Sequence, residues 1–203
     1  MRRLPDLCGQ LDLSGCKFLR EVYVQNNALT QVNVSDSAIW ELDCSGNRLT
    51  ELNVSGCGYL MNLVCGNNQL TALELADCRR LATVDCSGNQ LTALNLSATN
   101  ALTTLNCENN RLSALTFNNM SYPIHVDCSG NQLTDLNTYV MQYTQDLDCS
   151  DNLFTPSGCK KLRHAGNLLL SGQQVGEARS QLQWQMPCPA PHRHWGRLCQ
   201  LCH

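Results

Sequence analysis

Residues 86–96 read CSGNQLTALNL; the chain reads CGNNQLTALEL at 65–75 and CENNRLSALTF at 107–117. Each stretch begins 21 residues after the one before it. Cysteine, asparagine and leucine hold fixed places within the three. Extended in both directions, the unit becomes Leu-x-Cys-x-x-Asn-x-Leu-Thr-x-Leu-x-Leu-Ser. The cysteine column is Cys44, Cys65, Cys86, Cys107, Cys128 and Cys149, with Val24 in the same place one repeat earlier. The asparagine column is Asn27, Asn47, Asn68, Asn89, Asn110, Asn131 and Asn152. Leu29, Leu49, Leu70, Leu91, Leu112, Leu133 and Phe154 follow two places later, and Leu42, Leu63, Val84, Leu105, Val126 and Leu147 stand two places before each cysteine.

Columns that stay aligned over six copies define a solenoid with the leucine-rich repeat grammar. Each coil supplies one short strand, such as Leu63-Val64-Cys65, with alternate residues pointing inward. A coil of about 21 residues has no room for a full α-helix, so the return segment is expected to be extended or a 3₁₀ turn. The expected fold is a right-handed superhelix of short parallel strands. It occupies residues 1–154 in about seven coils, the first of them partial.

The two polar columns have structural explanations. A turn buried between coils leaves backbone N–H and C=O groups without a ladder partner. A carboxamide both donates and accepts, so the column asparagines can serve neighbouring backbone groups above and below. Cysteine is a small hydrophobe that fits a narrow coil. Neighbouring coils lie about 4.8 Å apart with parallel side chains, which is too far for the roughly 3.5–4.5 Å Cβ separation of a disulfide. A dry interior also keeps a thiol protonated. A second, looser column holds Cys16, Cys57 and Cys78, with Ser37, Thr99 and Met120 in other coils. It is expected on the return side, partly exposed.

An in-register cysteine column within LxCxxNxLTxLxLS repeats resembles the cysteine-ladder leucine-rich repeats of the internalin group, over residues 11–154. The resemblance implies a curved solenoid on a bacterial surface that binds other proteins in adhesion or host contact. By that route the expected location is extracellular or cell-surface. No export signal is read in the chain, and its first residues fall inside a repeat.

Composition narrows the function further. Charged residues make up 15% of the chain and the net charge is −3, which argues against nucleic acid as a main partner, since phosphate binding needs a clustered basic surface. No apolar run approaches the length of a membrane span. No Ser/His/Asp or Cys/His arrangement stands out, so the chain reads as a non-enzyme without a cofactor. Its expected partner is a protein, with a purely structural spacer as the alternative reading of the repeats.

Residues 155–203 read as a degenerate cap, with Leu168-Leu169-Leu170 as one strand, or as a disordered tail containing Cys and His. Cys188, His192, His194, Cys199 and Cys202 in that segment are candidate zinc ligands, and Cys199-Gln200-Leu201-Cys202-His203 matches a haem-attachment pattern. The sequons at Asn33, Asn53, Asn95 and Asn119 arise largely from the repeat grammar and carry no inference about glycosylation.

Specificity in a solenoid resides in the outward strand positions. The central outward column is Tyr23, Asp43, Val64, Asp85, Asn106, Asp127 and Asp148. The column before it is Glu21, Glu41, Asn62, Thr83, Thr104, His125 and Asp146, with Trp40 and Met61 one step further back. Tyr23, Trp40 and Met61 form an aromatic and thioether cluster. The carboxylates form an acidic strip that would steer a basic partner.

Overall fold

The computed structural model describes residues 7–117, 125–136 and 144–154, together with the backbone of 167–169. The candidate metal and haem residues of the tail, Met120 and Asn119 lie outside the described residues. Among those described there are thirteen short strands and no helix. Eight strands stack into one parallel sheet: β2 (Glu21–Tyr23), β4 (Glu41–Asp43), β6 (Asn62–Val64), β7 (Thr83–Asp85), β9 (Thr104–Asn106), β11 (His125–Asp127), β12 (Asp146–Asp148) and β13 (Asn167–Leu169). Register follows the repeat: Val22 pairs with Leu42, Leu42 with Leu63 and Leu63 with Val84. The chain is a β-solenoid.

The return path is extended, as a short coil requires, and part of it also forms sheet. β1 (Cys8–Asp12), β3 (Ala28–Asn33) and β5 (Glu51–Asn53) pair in parallel, as do β8 (Ala93–Leu96) and β10 (Ala114–Phe117). Between the two walls lies an aliphatic interior. Leu42, Leu63, Val84 and Leu105 project from the strand wall, while Leu73, Leu94, Leu115 and Leu136 project from the return wall, all of them buried. Full burial of such a side chain stabilises by about 1.5–3 kcal/mol. Each coil completes that burial only against its neighbours, which makes the array cooperative along its axis.

The column cysteines Cys44, Cys65, Cys86, Cys107, Cys128 and Cys149 are buried free thiols. Burial pushes the Cys44 and Cys86 thiols up to about 12, with a further push from the neighbouring Asp43 and Asp85 carboxylates. Cys44 and Cys86 are thus packing groups held in the neutral form. The second column corrects the sequence reading. Only Cys16 is partly exposed; Cys57 and Cys78 are fully buried. The return corner turns them inward, where the Cys57 thiol donates to the Val34 carbonyl of the preceding coil at 3.1 Å.

The asparagine ladder also differs in direction from the expectation. Asn89 Nδ2 donates to Cys86 O of its own coil and to Cys65 O of the preceding one, both at 3.1 Å. Its Oδ1 accepts from Leu70 N–H of that preceding coil at 2.9 Å. Each side chain therefore clamps its own coil to the one before it, not to the coils on both sides. Continuity arises at the carbonyls: Cys86 O accepts from Asn89 and also from Asn110 of the next coil.

The residue just before each ladder asparagine is left-handed, and it alternates: Asn26, Gly46, Asn67, Gly88, Asn109, Gly130, Asp151. Asparagine and glycine tolerate that conformation best. The alternation has a steric cause. A Cβ on Gly46, Gly88 or Gly130 would stand 2.5, 2.8 or 2.6 Å from the Oδ1 of Asn26, Asn67 or Asn109 in the coil before it. Along this corner the coils therefore interlock in pairs, a two-coil period that the cysteine column does not show.

Candidate functional site

The outward side of the eight-stranded sheet is built by alternation. In each of the seven strands from β2 to β12 in this sheet the middle residue is buried, and the flanking pair faces out. Because the pairing has no register shift, outward residues line up in rows. Glu21, Glu41 and Asn62 are neighbours in one row, and Tyr23, Asp43 and Val64 in the next.

The central carboxylates have a local task that sequence reading did not assign. Asp43 Oδ1 accepts the Ser45 N–H at 3.0 Å and the Ser45 hydroxyl at 2.6 Å. Asp85 and Asp127 do the same with Ser87 and Ser129. Asp148 accepts the Ser150 N–H at 2.9 Å. These are Asx turns, in which a short side chain satisfies the backbone two residues on. They bend the chain from the strand into the asparagine corner. Asn106 fills the same role toward the Glu108 N–H at 3.1 Å. The signal was present as the repeated Asp-Cys-Ser triplet.

At the return corner the same turn is made by Asp12, Asn33, Asn53 and Asn95, each accepting the N–H two residues later. Three of these four are neutral. The turn needs an acceptor oxygen and no charge, yet on the strand face four of the five described turn residues are carboxylates.

The expected binding residues divide between two ends of the face. Toward the C-terminal coils, His125 Nδ1 lies 2.6 Å from Asp146 Oδ2. Asp127 and Asp148 are paired directly across the ladder. With Thr104 and Asn106 these side chains line a shallow groove. At the other end, Tyr23, Trp40 and Met61 are exposed by 53%, 44% and 47%. Trp40 Nε1 donates to Glu21 Oε1 at 3.2 Å. Partial desolvation, then the charges of Glu21 and Glu41, push the Tyr23 phenol up. Glu41 is half-buried, as are Asp43, Asp85, Asn106, Asp127, Asp146 and Asp148.

Two further exposed aromatic residues were missed. Phe18 is exposed by 94% and Tyr59 by 58%. Each immediately precedes an inward leucine, Leu19 or Leu60, and that alternation marks it as outward. The Arg80 guanidinium lies over the Tyr59 ring, 5.2 Å from its centroid, a cation–π contact.

No family model matches the chain, and no curated protein matches it in sequence. Its fold is similar to a solved structure described as the functional domain of InlJ from Listeria monocytogenes, which includes a cysteine ladder. The TM-score is 0.56 at 27% identity, covering 74% of this chain. The match spans 38% of that structure's own length. The chain is an internalin-like repeat solenoid, consistent with the resemblance read from its repeats.

Proposed function

We propose that this chain is a protein-binding module that engages its partner across the eight-stranded face, in the manner of a bacterial surface adhesion repeat. One observation carries the reading. The strand-face turns use aspartate where asparagine also makes the turn, as Asn106 shows in the same column. The charge there is surplus to the turn, and it accumulates on one wall. Among the described residues the only ion pair on the chain is His125 with Asp146, so the other strand-face carboxylates are left to act on a partner. A rigid face that needs no ordering on contact lowers the cost of association, and uncompensated negative charge accelerates encounter with a basic surface.

The same observation supplies a clean test. Asp85→Asn with Asp127→Asn removes charge while keeping the turn acceptor. Protein binders selected by display against the full chain should associate more slowly with this variant at low salt, with little change at high salt. Trp40→Ala should weaken them without lowering the unfolding midpoint. Binders that ignore all three substitutions, yet are lost when the outward return-side residues Glu74 and Thr92 are changed, would show that the return wall is the binding surface.

A further inference from the structure

The aromatic end of the face has a composition that specifies its occupant. Glu21 and Glu41 stand directly opposite one another on adjacent parallel strands, both outward. Like charges in that relation destabilise a sheet. Unlike Asp43 or Asp85, neither glutamate makes an Asx turn; among the described residues they accept from the Trp40 indole N–H and the Tyr23 hydroxyl, neither of which is a cation. No described cation offsets it: Arg20, at the head of β2, is tied through Nη1 to the carbonyls of Lys17 and Ala38 at 3.0 and 3.1 Å.

Around the two carboxylates stand flat rings. Trp40 donates its indole N–H to Glu21 Oε1 and remains substantially exposed. Tyr23 lies beside both glutamates in the next row. One coil further on, the chain already shows what such rings accept, because Arg80 covers Tyr59. At Trp40 and Tyr23 the corresponding cation is not supplied from within the described residues.

We infer that this end of the face docks an extended segment of a partner protein through an arginine side chain, its guanidinium stacked on Trp40 and paired with Glu21 and Glu41. Arginine fits better than lysine, because a planar guanidinium can stack on an indole and present parallel N–H groups to two carboxylates at once. Met61, whose backbone N–H donates to the Trp40 carbonyl, borders the site and offers apolar contact to residues flanking the arginine. This inference rests on the strand-face reading and adds the chemistry of the recognised group.

The test uses the full chain and defined peptides. The indole N–H signal of Trp40, identified by its loss in Trp40→Phe, is followed during titration with acetyl-Gly-Arg-Gly-amide, and with the Leu and Glu counterparts as controls. The arginine peptide should shift the signal saturably in the millimolar range. The Glu21→Gln, Glu41→Gln double variant should bind it at least fivefold more weakly, and the controls should leave the signal in place. A leucine peptide as effective as the arginine peptide would overturn the assignment. So would unchanged binding by the double variant, or a peptide-free shift that grows with protein concentration and marks a second copy as the occupant. Any of these results leaves the strand-face reading standing. That reading falls only if selected protein binders ignore the charge substitutions at Asp85 and Asp127 together with Trp40→Ala.

Discussion

Removing one rung of the asparagine ladder tests what holds coil to coil. In Asn89→Ala the Leu70 N–H, which has Asn89 Oδ1 as its partner at 2.9 Å, becomes a buried donor with none. Leaving such a group unpaired costs about 1–3 kcal/mol. Cys65 O and Cys86 O each lose one of two donors but keep the other, from Asn68 and Asn110 respectively. Those two losses are ordinary hydrogen bonds worth about 1 kcal/mol apiece. Ser87 O keeps the Asn67 N–H at 2.7 Å. The sum is about 4 kcal/mol, a large share of a single domain's stability. Urea denaturation followed by circular dichroism gives the total, and hydrogen exchange at the Leu70 amide gives its location. Asn89→Asp sharpens the test. It keeps the acceptor for Leu70 but turns a second carboxyl oxygen toward three carbonyls in a dry corner, so the folded state favours the protonated acid and raises its pKa. The unfolded chain then releases its proton at lower pH than the folded one. The variant should therefore be most stable below about pH 4 and lose stability as pH rises through the folded pKa. A cost below about 1 kcal/mol for Asn89→Ala, an unaltered Leu70 amide, or a pH-independent Asn89→Asp variant would each refute the ladder's energetic role.

Three further outcomes follow from the same geometry. Gly88→Ala places a Cβ 2.8 Å from Asn67 Oδ1 at a φ of +60° and should cost about 1–3 kcal/mol; adding Asn67→Gly should recover part of that loss, and strict additivity in the double-mutant cycle would show that the coils do not interlock there. Cys44 and Cys86, with thiols pushed up to about 12, should resist alkylation in the native protein at pH 8 and react fully in denaturant. Their folded pKa lies above the unfolded value of about 8.5, so the stability they contribute is complete below that pH and declines as pH rises from there toward 12, measurable as a falling urea midpoint. Cys86→Ser should cost about 1–3 kcal/mol by burying a hydroxyl in an apolar column, and a neutral result in the same denaturation assay would mean that the column tolerates polarity.

Period and polarity determined the architecture of this protein from its sequence. A column that repeats every 21 residues must stack, a column of Leu, Val and Cys must be interior, and a coil that short must return without an α-helix. The outward rows were legible for the same reason, since alternation within each strand is a property of the backbone. Tertiary structure decided what happens at the corners. Stacking order does not say whether Cys57 turns into the core or out of it, nor that Asn89 reaches back to Cys65 while its other neighbour reaches back to it. Nor does it reveal that Asp85 is partly engaged by Ser87, or that the glycine of one coil makes room for the asparagine of the last. Strand positions inherit one of two directions from the pleat. A turn residue points wherever an unpaired backbone group or an adjacent coil leaves room, and that space exists only after the coils have stacked.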